Sequence, residues 1–311
     1  MISIIVPCYN ESVIIKDFIE AVKTKVKNIQ NFELIFIDNN STDETFEIIQ
    51  NSKSEFKYFK IIKLSNYFGK EAAILAGLDA CEGEAAIIMD PDLEDPIELI
   101  DKLILKLQEG YDVVLTVRKS EQIPLIKKFL KKIFYIIITL SSENEKLQIN
   151  SGDFRIINKK VIKNIISMRE RTRFLRGLVN FVGYKQTYLE FDRPFRKKGE
   201  TKSSINFLIN YALDSLFSFS SVPIRLILRF GIFLFIFLLA FGIYLLIQKL
   251  FSKPIEGFTS VLLLIGLSTV FNIIAIGIVG EYVSRIYNEV KNRPNYIVDK
   301  IISNNDKTKN V

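Results

Sequence analysis

Histidine is missing from all 311 residues, as is tryptophan, and there are only two cysteines. Without histidine the chain can build neither a Ser-His-Asp nor a Cys-His nucleophile, and no His-ligated metal site. Cys8 and Cys81 are too few for a disulfide framework or a cysteine-rich zinc site, which fits a reducing compartment. Glycine-rich phosphate loops are lacking too: neither GxGxxG nor GxxxxGK[ST] occurs, so neither a dinucleotide fingerprint nor a P-loop is supported. Met1 to Pro7 is apolar but has no basic leader and no small-residue cleavage site. It reads as a buried strand rather than a secretory signal.

What is present is an apolar excess that sits beside a full complement of charge. Hydrophobic residues make up 49% and charged residues 25%, with 42 Lys+Arg against 35 Asp+Glu for a net +7. The mean hydropathy is +0.21. Both figures cannot describe one evenly mixed globule, so the apolar residues must be concentrated somewhere. The length suits one large domain or about two ordinary ones, and the abundance of Ile, Leu and Phe excludes disorder.

The concentration lies near the carboxyl end. Phe230 to Ile247 (FGIFLFIFLLAFGIYLLI) and Gly257 to Gly280 (GFTSVLLLIGLSTVFNIIAIGIVG) carry no charge; the first nearly spans a hydrocarbon core of about 30 Å and is extended by its flanks, and the second is long enough to cross it. The connector QKLFSKPIE contains Pro254 and suits a tight hairpin. Arg225 and Arg229 precede the first span, and Arg285, Lys291 and Arg293 follow the second; the connector has Lys249 and Lys253 offset by Glu256. The excess of flanking positive charge predicts both termini in the cytoplasm. Asn272, inside the second span, is expected to bond across to the first helix. Just upstream, Ile205, Leu208, Ile209, Ala212, Leu213, Leu216 and Phe217 recur at helical spacing, which reads as a core face or, just ahead of a span, as an interfacial helix on the bilayer.

Residues 1–200 alternate between strand and helix patterns. ISIIVP, FELIFID, YFKIIKL, EAAIIMD and YDVVLTV are short β-branched runs, separated by helical patterns at Val13 to Asn28, Thr42 to Ser52 and Pro96 to Glu109. The alternation predicts a mostly parallel sheet covered by helices, with ligands at the carboxyl ends of the strands. Three strand ends there are polar: Tyr9-Asn10-Glu11, Asp38-Asn39-Asn40-Ser41 and Asp90-Pro91-Asp92. Asp90 and Asp92 can face one hard cation such as Mg²⁺ or Mn²⁺, with Glu94 joining them. The competing reading of that segment is a turn and helix start, since Asp95-Pro96 begins a helix well.

The residues also resemble a known family. IIVPCYNE (4–11), IDNNSTDET (37–45), NYFGKEAAILAGLDACEG (66–83), MDPDLEDPIE (89–98), GDFRIINKK (152–160), RFLRGLVNFVGYKQ (173–186), RPFRKKGETKSS (193–204) and GEYVSRIYNEVKNRPNYIV (280–298) follow, in order, the pattern of glycosyltransferase family 2. The subgroup they resemble is the polyprenyl-phosphate glycosyltransferases, which have a GT-A fold. The resemblance implies that Pro7, Tyr9, Glu11 and Asp38 hold the nucleoside of a UDP- or GDP-linked sugar. Asp90, Pro91 and Asp92 would bind metal and diphosphate, with Glu94 completing the metal shell. Arg118 would meet an acceptor or donor phosphate, and Arg196 and Lys202 would close over the phosphates. Asp153 would lie near the reaction centre. Asn40 stands where the pattern usually has glycine, and Glu94 where it often has glutamine.

What the resemblance implies is a cytoplasmic GT-A catalytic domain over 1–202, an amphipathic juxtamembrane segment over 203–229, a transmembrane hairpin over 230–280 and a cytoplasmic helix and tail over 281–311. The implied reaction is metal-dependent, inverting transfer of a sugar to polyprenyl phosphate at the cytoplasmic membrane. Arg173 and Arg176 are further candidates to receive phosphate, since guanidinium binds it bidentately. The basic run at 193–202 suits anionic lipid headgroups equally well, and no feature suggests nucleic acid. A homo-oligomer is left open, because GEYVSRIYNEV could pack on a second copy or on its own catalytic domain. Two other readings are a scaffold or flippase with a decayed transferase domain and a processive polysaccharide synthase. The second would need more spans and a QxxRW segment, which a chain without tryptophan lacks.

Overall fold

The computed structural model describes residues 1–26, 31–119, 151–171, 174–192, 222–251, 257–304 and 309–310. Its centre is a sheet formed by the five β-branched runs. They become β1 (Ile2–Cys8), β2 (Phe32–Asp38), β3 (Phe59–Leu64), β4 (Ala85–Ile88) and β5 (Val113–Arg118). β1 is central: it pairs in parallel with β2 from Ile2↔Phe32 to Cys8↔Asp38, and with β4 from Ile2↔Ala85 to Ile5↔Ile88. That register brings the carboxyl ends of β1 and β2 level, so the polar residues after each strand become neighbours.

Three further strands extend the sheet. β6 (Ser151–Asn158) inserts antiparallel between β4 and β5, and β7 (Gln186–Phe191) pairs in parallel with β5. β8 (Val298–Ser303) pairs antiparallel with β3, and β9 (Lys309–Asn310) pairs with β8. The order across the described sheet is β7-β5-β6-β4-β1-β2-β3-β8-β9. The expectation of a mostly parallel sheet holds for its centre. Residues 298–303, placed by the sequence in a carboxyl-terminal tail, instead join the sheet as the strand beside β3.

Period-two alternation divides the core. Ile4, Val6 and Phe36 face one side, where they meet α1 (Ile15–Val26), α2 (Thr45–Asn51) and α4 (Leu99–Gln108). Ile5, Ile35 and Ile37 face the other, against α3 (Lys70–Ala80), α5 (Lys159–Ser167) and α6 (Leu175–Phe181). α3 is buried at every position from Ala72 to Leu78, so it has no amphipathic stripe for a sequence to display. It lies so close to the sheet that a Cβ on Gly77 would come 2.3 Å from Ile5 Cγ2.

The two apolar runs form α7 (Val222–Phe251) and α8 (Phe258–Val290). Their apolar windows, Ile227–Tyr244 and Leu264–Val290, average hydropathies of 2.4 and 1.9 and are unburied by protein. A core helix of a soluble domain would be covered, so these surfaces call for lipid. Phe230 packs on Phe271 with ring centroids 5.2 Å apart. Asn272 is exposed, rather than turned onto the first helix as expected. α8 runs without a break through Gly280, and Glu289 near its end accepts from the Arg171 backbone N–H at 2.7 Å. The helix thus returns to its own catalytic domain. The expected interfacial helix at 203–221 lies outside the described residues.

Candidate active site

The loops after β1 and β2 are stapled together by short polar side chains. Asn10 Oδ1 accepts from the Thr42 backbone N–H at 2.8 Å, the Asn10 N–H donates to Ser41 Oγ at 3.1 Å, and the Glu11 N–H donates to Thr45 Oγ1 at 2.8 Å. Three residues at the ends of β1, β2 and β4 adopt left-handed backbone: Asn10, Asn40 and Leu93, with φ of 52°, 61° and 56°. This explains the departure at position 40. The turn needs positive φ, which glycine adopts freely and asparagine tolerates better than most residues.

Asp38 closes β2 and is fully buried. Its Oδ1 accepts from the Ser41 N–H at 3.2 Å, while Oδ2 has no hydrogen-bond partner. Burial pushes its carboxyl above the usual carboxylate range, partly offset by Ser41. A buried acceptor without a donor is costly, and a ligand N–H or O–H would relieve it. Pro7 is buried beside it on β1, and Tyr9 is exposed at the rim, its ring 4.5 Å from that of Tyr67.

The carboxyl end of β4 carries the densest charge. Asp90 Oδ2 lies 2.6 Å from Lys70 Nζ, and the same ammonium lies 2.7 Å from Asp153 Oδ2 on β6. Asp153 Oδ1 receives Arg176 Nε at 2.9 Å and has Arg155 Nη2 at 3.8 Å. Burial opposes ionisation of Asp153, but Arg176, Lys70 and Arg155 outweigh it and hold its carboxyl well below the usual range. Loss of solvation likewise opposes the Lys70 charge, and Asp153 and Asp90 override it, so the ammonium stays protonated. Asp90 itself is shifted upward, by burial first and then by Asp153 against the pull of Lys70. Glu71 joins this group, accepting from the Leu175 N–H at 3.2 Å.

Pro91 is buried in the turn that follows, and Asp92 Oδ1 accepts from the Glu94 N–H at 3.1 Å. Glu94 is buried as well. Among the described residues no three carboxylates are gathered into a ready cation site. The pair Asp90 and Asp92 nevertheless offers the hard oxygen donors that suit Mg²⁺ or Mn²⁺, and Asp90 already holds a positive charge in Lys70. The donor chemistry therefore fits a cation that takes its remaining ligands from a bound diphosphate.

Arg118 ends β5, with Nη2 3.5 Å from Asp95 Oδ1 and its own Nε without a partner. Asp95, read from sequence only as a helix start, is almost fully buried, and burial pushes its carboxyl up to about 6 despite Arg118. The sequence singled out Asp38, Asp90, Asp92, Arg118, Asp153 and Arg176, and the fold brings Asp90, Asp153 and Arg176 into one chain of charges. It overlooked Lys70, Glu71 and Asp95; the one available signal was a Lys-Glu pair opening a helix directly after a strand and loop. Arg173, Arg196 and Lys202 lie outside the described residues.

A cluster of charged side chains at the ends of a central parallel sheet, on a chain with two long unburied apolar helices, describes an α/β domain joined to a membrane-associating segment. Residues 3–166 match the model of Glycosyl transferase family 2. An uncharacterized glycosyltransferase of Synechocystis sp. is 36% identical over 307 residues, covering 96% of this chain and 95% of that one. The SfII prophage-derived bactoprenol glucosyl transferase of Shigella flexneri is 36% identical over 303 residues, covering 96% and 97%. The chain belongs to glycosyl transferase family 2 and is a glycosyltransferase. Glucosyl-3-phosphoglycerate synthase from Mycobacterium tuberculosis, solved with phosphoglyceric acid, aligns over 71% of this chain and 80% of its own with a TM-score of 0.49 and 16% identity.

Proposed function

We propose that the enzyme moves a sugar from a nucleotide-linked donor to a polyprenyl phosphate at the cytoplasmic face of the inner membrane, with inversion at the anomeric carbon. The observation that carries this reading is the charge chain Asp90–Lys70–Asp153–Arg176 at the strand ends, within a chain similar over nearly its full length to bactoprenol glucosyl transferases. Those relatives make glucose the first sugar to test, with UDP- and GDP-linked donors compared side by side.

Asp38, with Pro7, Tyr9 and Glu11, is proposed to receive the nucleoside; its unpartnered Oδ2 suits a base N–H or a ribose hydroxyl. Asp90 and Asp92 would hold Mg²⁺ or Mn²⁺ with the diphosphate; Glu94, which the resemblance makes the third ligand, is buried and, among the described residues, forms no three-carboxylate site with them. When bound, the cation would stabilise negative charge on the departing diphosphate. The chain's own cations share that role: Lys70 in the crevice, and Arg196 and Lys202 as candidates beyond the described residues. Arg118 and Arg176 would orient the lipid phosphate. That phosphate is already anionic, so its oxygen forms the new bond to the anomeric carbon as the bond to the diphosphate breaks, with no base needed. This is consistent with a chain free of histidine.

In the proposed organisation, residues 1–202 together with β8 form the cytoplasmic catalytic unit, 203–221 lie along the bilayer, α7 and α8 form the hairpin, and the chain beyond 280 returns to the cytoplasmic side. The test is purified full-length protein in detergent with undecaprenyl phosphate, Mn²⁺ and a panel of UDP- and GDP-sugars. A lipid-linked sugar of inverted anomeric configuration is expected. Absence of any glycolipid with every donor would overturn the proposal.

A further inference from the structure

Lys70 opens α3 directly after Gly69, whose φ of +87° turns the chain into the helix. Its ammonium bridges Asp90 on one side and Asp153 on the other at 2.6 and 2.7 Å. Asp90 is the carboxylate that the proposed cation site also needs. Two positive charges on the same carboxylate repel strongly at such separations, more so in a crevice than in bulk water. A lone divalent cation therefore meets an occupied site.

The surroundings allow Lys70 to leave. Its side chain is 41% exposed, and a lysine stem is flexible, with three donors that can re-aim. Asp153 would not be stranded, because Arg176 Nε stays 2.9 Å away and Arg155 Nη2 3.8 Å away. Asp90 would be the one group losing its counter-charge, and it would regain one from the arriving metal. The ammonium, in turn, needs an anion nearby, and a diphosphate entering with the metal is that anion.

We propose that Lys70 makes cation binding conditional on nucleotide: it neutralises Asp90 in the empty site and passes to the diphosphate when metal and nucleotide enter together. The inference rests on the reading that Asp90 and Asp92 hold a metal with the donor diphosphate. It adds that metal and nucleotide bind synergistically, and that one residue outside the D-x-D segment causes the synergy.

The experiment measures Mn²⁺ binding to the full-length protein in detergent, by the electron paramagnetic resonance signal of free Mn²⁺, with and without UDP. For the native enzyme, UDP is expected to tighten Mn²⁺ binding by roughly ten-fold or more, within the usual range of coupling between sites. Lys70→Met is expected to bind Mn²⁺ alone roughly ten-fold tighter than the native enzyme, with a much smaller gain from UDP. Lys70→Arg, which keeps the charge, should retain the native dependence. If Lys70→Met does not reach the native thermal unfolding midpoint, Lys70→Gln makes the same change of charge with a hydrogen-bonding end. Equal or weaker Mn²⁺ binding by the neutral variants without UDP would overturn the inference while leaving the metal reading intact. Native protein that binds no Mn²⁺ even with UDP would overturn the metal reading, and the inference with it.

Discussion

Glu71 follows Lys70 on α3, and its carboxyl is pushed up to about 7 by burial and by Asp153, against the pull of Arg176. An ordinary glutamate in the unfolded chain ionises near 4.5. Between these values the folded state holds a proton that the unfolded state has lost. Stability from this group is therefore full below about 4.5, declines as pH rises to about 7, and is level above. Glu71→Gln keeps a carbonyl to accept from Leu175 and removes the titration. It should be more stable than the native protein at pH 8 by about 1–3 kcal/mol, with the difference shrinking towards pH 5; melting curves across that range check it. Asp92→Asn is expected to reduce sugar transfer by at least about 100-fold with little change in melting temperature, measured as labelled sugar entering the lipid fraction. Substantial retained activity would sink the metal assignment. Asp38 and Asp90 were legible because each ends a β-branched run, where strand geometry makes a polar residue conspicuous, and Asp92 because it stands two positions after such an end. Lys70 was not, since nothing in its neighbourhood of sequence reveals that Asp90 and Asp153 close on it from twenty and eighty-three positions away.

At the scale of elements, α3 is the tightest joint. A methyl group at Gly77 would meet Ile5 at 2.3 Å and Ile37 at 2.8 Å, both in strands that cannot easily retreat. Gly77→Ala should destabilise the catalytic domain by about 1–3 kcal/mol, read as a lower urea midpoint, and loosen Lys70 at the helix start. β8 is the second such element. Its pairing with β3 runs from Lys60↔Ser303 to Leu64↔Val298, and the Ser65 N–H donates to the Ile297 carbonyl at 2.9 Å. Ending the chain at Val290 would bare the β3 edge, so increased aggregation is expected, measured by light scattering after detergent exchange. Five strands were readable from β-branched runs, yet β6, β7 and β8 were not. SGDFRIIN, QTYLEF and VDKIIS mix charge and polarity with their apolar positions. Pairing partners, rather than local pattern, make them strands.

For the whole molecule, the second lipid-compatible helix is tied to the α/β domain by Glu289 on Arg171 and, among the described residues, by the chain that follows it. β8 adds to the sheet beyond the second helix, and Tyr296 donates to Asp79 Oδ2 at 2.6 Å, where Arg169 also binds through both nitrogens at 2.8 and 3.0 Å. The chain should stay in the membrane pellet after an alkaline carbonate wash, and release into the supernatant would contradict the two spans. In a Cys81→Ser background, cysteines at Ser252 and Ser303 test the orientation. An impermeant maleimide applied to intact cells should label Ser252→Cys and spare Ser303→Cys; the reverse pattern would overturn it.

The sequence alone determined the apolar hairpin, the five runs at the heart of the sheet and the carboxylates at their ends. These properties depend on periodicity, on uncharged length and on residue type beside a strand, all of which are local. Tertiary structure alone decided that the tail after the second span joins the sheet beside β3, and that Asp95 is buried against Arg118. It also decided that Lys70 bridges Asp90 and Asp153. Each depends on burial and on Coulomb interactions between residues distant in the chain, and these exist only once the sheet brings them within a few ångströms. The missing histidines acquire a structural counterpart there: the chain of ion pairs Asp90–Lys70–Asp153–Arg176 is built from carboxylates, a lysine and an arginine, with no imidazole.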